Sequence, residues 1–329
     1  MLIAGQINVS TVKPFSRVSF KNIENNVNNS KSSYLLAFDL DGTFLECNKQ
    51  DIEKFIQLSQ LRNCKLAYVS GRVLSELDKI RNDYAKKGIN IPMPDYFITS
   101  SGQYLYENKN GKMSVSQEWY DILSKGGFNR SEIKSKMETL IEKTKLGNQP
   151  QLMQFDYREC NFNLEYLVGA KIKHNFKNTL NKFLKDNNIN VRIIYDYVPP
   201  EDIKRTLPMF PEFIQNQIKP LLDKDGGLLT FYLAAANKAD AVDFLRTKLK
   251  LDSNHVVTAG NAGNDISLAQ SGFWFIVVNN AQKILKNLIK DLPEKLKEKI
   301  IQAKNDGAAG INEALEQIFS KVGLNALFK

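Results

Sequence analysis

Leu36-Ala37-Phe38-Asp39-Leu40-Asp41-Gly42-Thr43 is an apolar run that ends on two carboxylates two positions apart. In an extended strand such positions share a face, so both acids project to one side of the sheet. Gly42 lets the backbone turn away at once. A bare Asp-x-Asp also fits a polar loop or a calcium loop, but a calcium loop needs further oxygen ligands close by, and Phe44 and Leu45 follow instead.

The same design recurs along the chain. Short apolar runs at 35–40, 66–69, 96–99, 256–259 and 273–278 stop at residues able to do chemistry and give way to amphipathic stretches. This alternation predicts an α/β fold, a doubly wound parallel sheet of Rossmann-like type with helices over it. In such sheets a ligand sits where the strands end. Residues 113–235 differ: helical patterns at 131–145 and 175–187 flank strand-like pieces at 162–168 and 191–195. They predict an inserted α+β unit between a first core segment, 34–112, and a second, 236–329. Pro199, Pro200, Pro208, Pro211 and Pro220 break helices and predict an irregular or short-helical excursion before the chain rejoins the core.

A length of 329 residues supports this two-unit division. Lys and Arg outnumber Asp and Glu by 45 to 36, a balance that favours anionic partners such as phosphorylated metabolites. No nucleic-acid partner is expected, because the lysines are scattered over helical segments without a dense basic run. No run approaches the roughly 18 apolar residues of a membrane span, so no membrane partner is expected either. Cys47, Cys64 and Cys160 match neither a zinc site nor a disulfide framework and predict free thiols in a reducing, cytoplasmic setting. His174 and His255 are too few for a histidine-based metal or triad site and read as structural. Residues 1–33, rich in Ser and Asn, read as a disordered leader, with an organelle-targeting peptide as the other reading.

Four segments in order carry a resemblance. Asp39-Leu40-Asp41-Gly42-Thr43, Ser70-Gly71-Arg72, Lys238 in Ala236-Asn237-Lys238-Ala239-Asp240, and Gly260-Asn261-Ala262-Gly263-Asn264-Asp265 resemble the four signatures of the haloacid dehalogenase superfamily. Asp95-Tyr96-Phe97-Ile98-Thr99-Ser100-Ser101-Gly102, Trp119, Val278-Asn279-Asn280-Ala281-Gln282 and Gly307-Ala308-Ala309-Gly310-Ile311 extend the similarity to sucrose-phosphate phosphatases and related sugar phosphatases. In that group a cap is inserted between the second and third signatures.

The resemblance implies a Mg²⁺-dependent phosphatase acting on a small phosphorylated sugar. Asp39 would be the nucleophile and Asp41 the general acid and base. Thr43, Ser70, Gly71, Lys238 and Asn264 would bind the phosphoryl group, and Asp39, Asp41, Asn261 and Asp265 would hold the ion. Arg72, Ser101 and Tyr166 are candidate substrate contacts, with Trp119 and Tyr166 also readable as aromatic core of the cap. The chemistry is sound: a phosphomonoester dianion resists attack, and a site needs an aligned nucleophile, positive charge and a proton for the departing alcohol.

Two departures stand out. The fourth signature usually begins Gly-Asp, and here Asn261 stands at the ligand position and brings no negative charge. Asn163-Leu164-Glu165-Tyr166 replaces a Lys-x-Ser-Tyr-like strand, so the same disaccharide is not implied. Two further readings follow: a catalytically impaired relative that binds a phosphosugar or a partner, and a phosphosugar mutase.

Overall fold

Tyr34–Phe38 forms strand β1 at the centre of an eight-stranded sheet, with all five side chains buried. A strand covered on both faces requires such an uninterrupted apolar run. This computed structural model describes residues 34–155 and 160–321, so the expected leader at 1–33 lies outside the described residues. Strands β2 (Cys64–Val69) and β3 (Tyr96–Thr99) follow in parallel on one side of β1. Then β4 (Tyr104–Lys109) and β5 (Lys112–Val115) turn back antiparallel to form that edge.

A small hairpin, β6 (Lys145–Leu146) and β7 (Gln149–Pro150), precedes a separate antiparallel sheet. Its strands are β8 (Leu152–Gln154), β9 (Asn163–Val168), β10 (Arg192–Val198) and β11 (Leu228–Ala234), ordered β10-β11-β9-β8. The chain returns as β12 (Val256–Gly260), β13 (Trp274–Val277) and β14 (Ile300–Gln302), parallel to β1 on its other side. The α/β class and the inserted α+β unit are therefore both present.

Strand order reverses between β1 and β12, which opens a crevice at their carboxyl ends. Register sets what meets there: Phe38 lies beside Ala259, and the Asp39 N–H donates to the Ala259 carbonyl at 3.1 Å. Behind the turn at 40–44, Phe44 packs on Phe38, Phe55 and Tyr68 with ring centroids 6.1, 4.9 and 5.5 Å away. Burying such a ring contributes about 2–3 kcal/mol and pins the loop that carries Asp41.

The boundary of the inserted unit differs from expectation. β5 belongs to the larger sheet, and the helix Gln117–Lys125 packs there as well. Trp119 lies 5.3 Å from Phe244, and its indole N–H donates to the Gly102 carbonyl at 3.1 Å. The cap therefore begins near the helix Arg130–Lys143 rather than at 113, and Trp119 is core rather than cap. A hairpin and an amphipathic helix do not declare which sheet they join.

In the cap, the helices Arg130–Lys143 and Lys173–Asp186 cover one face of the small sheet. Tyr166 is fully buried on that helix face, stacked on Phe231 at 5.0 Å. It is cap core, which corrects its candidacy as a substrate contact. The proline-rich excursion folds into two short helices, Pro200–Thr206 and Glu212–Ile218, over part of the other face. Among the described residues no helix is long and apolar enough to cross a membrane. The cysteines are free. His255 pairs with Asp252 at 3.0 Å and packs on Tyr34, as a structural histidine would.

Candidate active site

Lys238 opens the helix Lys238–Lys248, where Asn237 and Asp240 form a reciprocal capping box with bonds of 3.0 and 2.9 Å. That cap fixes where the lysine stem enters the core. Its ammonium, with no exposed surface, donates to Asp39 Oδ1 at 2.7 Å and to Asp265 Oδ1 at 2.6 Å. Residues 39, 238 and 265 thus meet from three segments spread over the whole chain.

One ammonium between two buried carboxylates leaves a negative charge uncompensated. Burial raises the Asp39 pKa to about 7, with Lys238 opposing the rise and Asp265 adding to it. Burial also works against the Lys238 charge, but Asp265 and Asp39 outweigh it and hold the ammonium well above its ordinary range.

The neighbouring strand ends supply polar groups. Ser70 is buried after β2; its N–H donates to Ile98 O at 2.9 Å and its hydroxyl accepts from Arg72 N at 3.1 Å. Gly71 continues the turn. Ser101 is buried with φ +57°, its N–H donating to Ser70 O at 3.0 Å, so it lines the same loop. Thr43 is buried, and its hydroxyl has no hydrogen-bond partner among the described residues.

Asp41 is arranged otherwise. Its exposed carboxylate is held by the Arg72 fork at 2.7 and 2.8 Å, and Arg72 also donates to Glu76 at 2.9 Å. Two carboxylates at i and i+2 of a continuous strand point together. Gly42, with φ +67°, ends the strand and turns Asp41 toward Arg72.

Gly102 adopts φ +113°, and a Cβ there would meet the Asn237 carbonyl next to Lys238. Gly102→Ala should therefore cost about 1–3 kcal/mol of stability by pushing the backbone at Asn237 and Lys238 away. A denaturant midpoint unchanged from the parent would contradict this close approach.

In the loop after β12, Asp265 Oδ2 accepts from the N–H groups of Asn261 and Ala262 at 2.9 and 3.0 Å. Both its oxygens are thus engaged, and it holds Lys238 and shapes the loop rather than presenting itself as a direct metal ligand. Asn261 lies against Gly42, its amide occupying the space a Cβ there would need. Asn264 does not point to Asp39. Its amide donates to Asp196 Oδ2 at 3.3 Å, and its Oδ1 is buried without a partner among the described residues.

Asp196, half-buried on β10, lies outside the four signature segments. Burial raises its pKa to about 6, against the pull of Lys238 and with a push from Asp265. An acid inside the apolar strand Ile193-Ile194-Tyr195-Asp196-Tyr197-Val198 was the available signal.

Among the described residues no three His, Cys, Asp or Glu side chains are grouped to hold a metal. Hard oxygen donors remain. Lys238 engages only Oδ1 of Asp39, and the Asp41 carbonyl and the Asn261 side chain belong to the adjoining loops. With the uncompensated charge of the buried trio, these fit a hard divalent cation, held through one carboxylate rather than two.

The geometry agrees with what the chain resembles. The family model for sucrose-6F-phosphate phosphohydrolase matches residues 32–203 and 229–318. A putative HAD-like hydrolase of Nitrosococcus oceani is 24% identical over 298 residues, covering 86% of this chain and 68% of that protein. The fold is similar to the sucrose-phosphatase of Synechocystis sp. PCC6803 in complex with sucrose and phosphate, with TM-score 0.64, 20% identity, and 87% and 98% of the two chains covered. It is also similar to a haloacid dehalogenase-like hydrolase protein of Bacillus subtilis, with TM-score 0.51, 14% identity, and 88% and 93% covered. With ordered signature segments meeting at one crevice and a family match over most of its length, the chain belongs to the sucrose-6F-phosphate phosphohydrolase family of the haloacid dehalogenase superfamily.

Proposed function

We propose that the chain is a phosphatase that hydrolyses a phosphorylated sugar through an aspartyl-phosphate intermediate. The observation that carries this reading is the Lys238 ammonium pinned between Asp39 and Asp265, a buried cation against the residue expected to attack phosphorus. Asp39 attacks the phosphorus, the bond from phosphorus to the sugar oxygen breaks, and Asp41 gives that oxygen a proton. Asp41 then takes a proton from the water that releases inorganic phosphate and regenerates Asp39. To do so it leaves Arg72, a rotation that an exposed side chain can make. Ser70 and Lys238 hold the phosphoryl oxygens. Mg²⁺, held by Asp39, the Asp41 carbonyl and Asn261, would neutralise charge on the phosphate and on the buried carboxylates.

Colorimetric phosphate release from a panel of sugar phosphates, with Asp39→Asn as control, tests the reading. No release above that control rejects it.

Asn261 favours a second reading, a phosphosugar-binding protein of low activity, because an amide lowers affinity for the ion. Asn261→Asp separates the two. A catalytic protein should gain about tenfold in turnover, about 1.4 kcal/mol of barrier, and reach half-maximal rate at lower magnesium. No change in either quantity would remove Asn261 from the ion site.

A further inference from the structure

Two segments that extend the family likeness, Val278-Asn279-Asn280-Ala281-Gln282 and Gly307-Ala308-Ala309-Gly310-Ile311, meet at the turn that carries Asp41. Asn280 follows the end of β13, the neighbour of β12 in the large sheet. Its side-chain amide donates to the Gly42 carbonyl at 2.8 Å, and its Oδ1 accepts from the Gly307 N–H at 3.1 Å. An acceptor on one side and a donor on the other fix which way this amide points.

Gly307 opens the helix Gly307–Lys321, whose first N–H groups have no partner inside the helix. Asn280 takes one of them, and the Ala308 N–H donates to the Glu46 carbonyl at 2.9 Å. Gly307 has φ +50°, and a Cβ there would meet that same carbonyl. The helix thus holds the chain just past the turn at Glu46, while Asn280 holds it within the turn at Gly42.

The turn must keep its shape when Asp41 works. Arg72 holds the Asp41 carboxylate, and Asp41 leaves Arg72 to protonate the sugar oxygen. The reach of the freed carboxylate is then set by the backbone at 40–44. Phe44 N–H to Asp39 O at 3.2 Å and Leu45 N–H to Leu40 O at 3.0 Å close that turn, and both bonds span Gly42 without engaging its carbonyl. Glycine rotates more freely than any other residue, so a turn that pivots on Gly42 gains its rigidity from a hold placed outside it. Asn280 supplies that hold.

We infer that Asn280 is a positioning residue for Asp41: it locks the Gly42 turn so that the released carboxylate reaches the leaving oxygen. This inference rests on the phosphatase reading. Asn280→Asp keeps the shape and the bond from Gly307 but sets an oxygen against the Gly42 carbonyl. Asn280→Ala removes both bonds and adds no charge. Phenyl phosphate and p-nitrophenyl phosphate, assayed at saturating magnesium, share a shape and differ in how much the departing oxygen needs a proton. Each variant should lower kcat for phenyl phosphate about fivefold and leave that for p-nitrophenyl phosphate within about twofold. Equal losses, no loss, or a split in Asn280→Asp alone overturn the inference, the last because added charge would be its cause. Amide exchange followed by NMR gives a second measurement that needs no turnover. The Phe44 and Leu45 amides should exchange about tenfold faster in both variants, with the Asp39 amide, bonded to Ala259, unchanged. Unaltered exchange at 44 and 45, or a rise that Asp39 shares, overturns the lock on the turn. Release of phosphate from neither ester by the unaltered protein rejects the phosphatase reading, and the exchange still decides whether Asn280 holds the turn.

Discussion

Lys238→Met should lose roughly 3–5 kcal/mol of stability and phosphate release together. Methionine fills the stem of the lysine, but the ammonium that Asp39 and Asp265 share at 2.7 and 2.6 Å is gone, and two buried carboxylates face each other. One of them must then take up a proton as the protein folds. The pH dependence has a definite sign. Asp39 in the native protein already has its pKa raised to about 7, above its ordinary value, because burial disfavours the carboxylate. The folded state therefore binds more protons than the unfolded chain between about pH 4 and 7, and stability falls as pH rises through that window. Without the ammonium the shift upward grows, so the deficit of Lys238→Met against the parent should be larger at pH 8 than at pH 5. Urea midpoints at the two pH values measure it. Adding Asp265→Asn should recover most of the loss, since one carboxylate alone no longer opposes another. An unchanged midpoint at pH 8 would mean that Lys238 is not the cation that holds this site together.

Asp39→Asn should separate activity from stability. Phosphate release should fall by at least about a thousandfold, about 4 kcal/mol of barrier, because an amide does not attack phosphorus. Stability at pH 8 should hold or rise. The amide oxygen still accepts from Lys238, while one of two carboxylates competing for a single ammonium is removed, and the fall in stability between about pH 4 and 7 should flatten. A coupled phosphate assay beside thermal melts at pH 5 and 8 reads both effects. A variant that retained parental turnover would place the attacking group elsewhere, and one that unfolded at pH 8 would refute the charge count of the buried trio.

The doubly wound sheet was legible because a strand buried on both faces has to be apolar throughout, and the runs ending at Asp39, Ser70 and Gly260 declare it. Lys238 was legible only through its place in an ordered set, since a single lysine at the start of a helix is ordinarily solvated. Asp39 and Asp41 are alike in sequence and unlike in space. Their spacing predicts one shared strand face, whereas the left-handed turn at Gly42 ends the strand between them and hands Asp41 to Arg72.

Local pattern alone determined the α/β class, the insertion and the segments that carry the candidate chemistry, because period and strand ends are properties of neighbouring residues. Tertiary structure decided which groups share a charge and which face each side chain takes: Lys238 between Asp39 and Asp265, Tyr166 inside the cap, Trp119 in the core, and Asp196 above Asn264. Those outcomes depend on contacts between residues up to about two hundred positions apart, whose burial and electrostatic cost no single segment encodes.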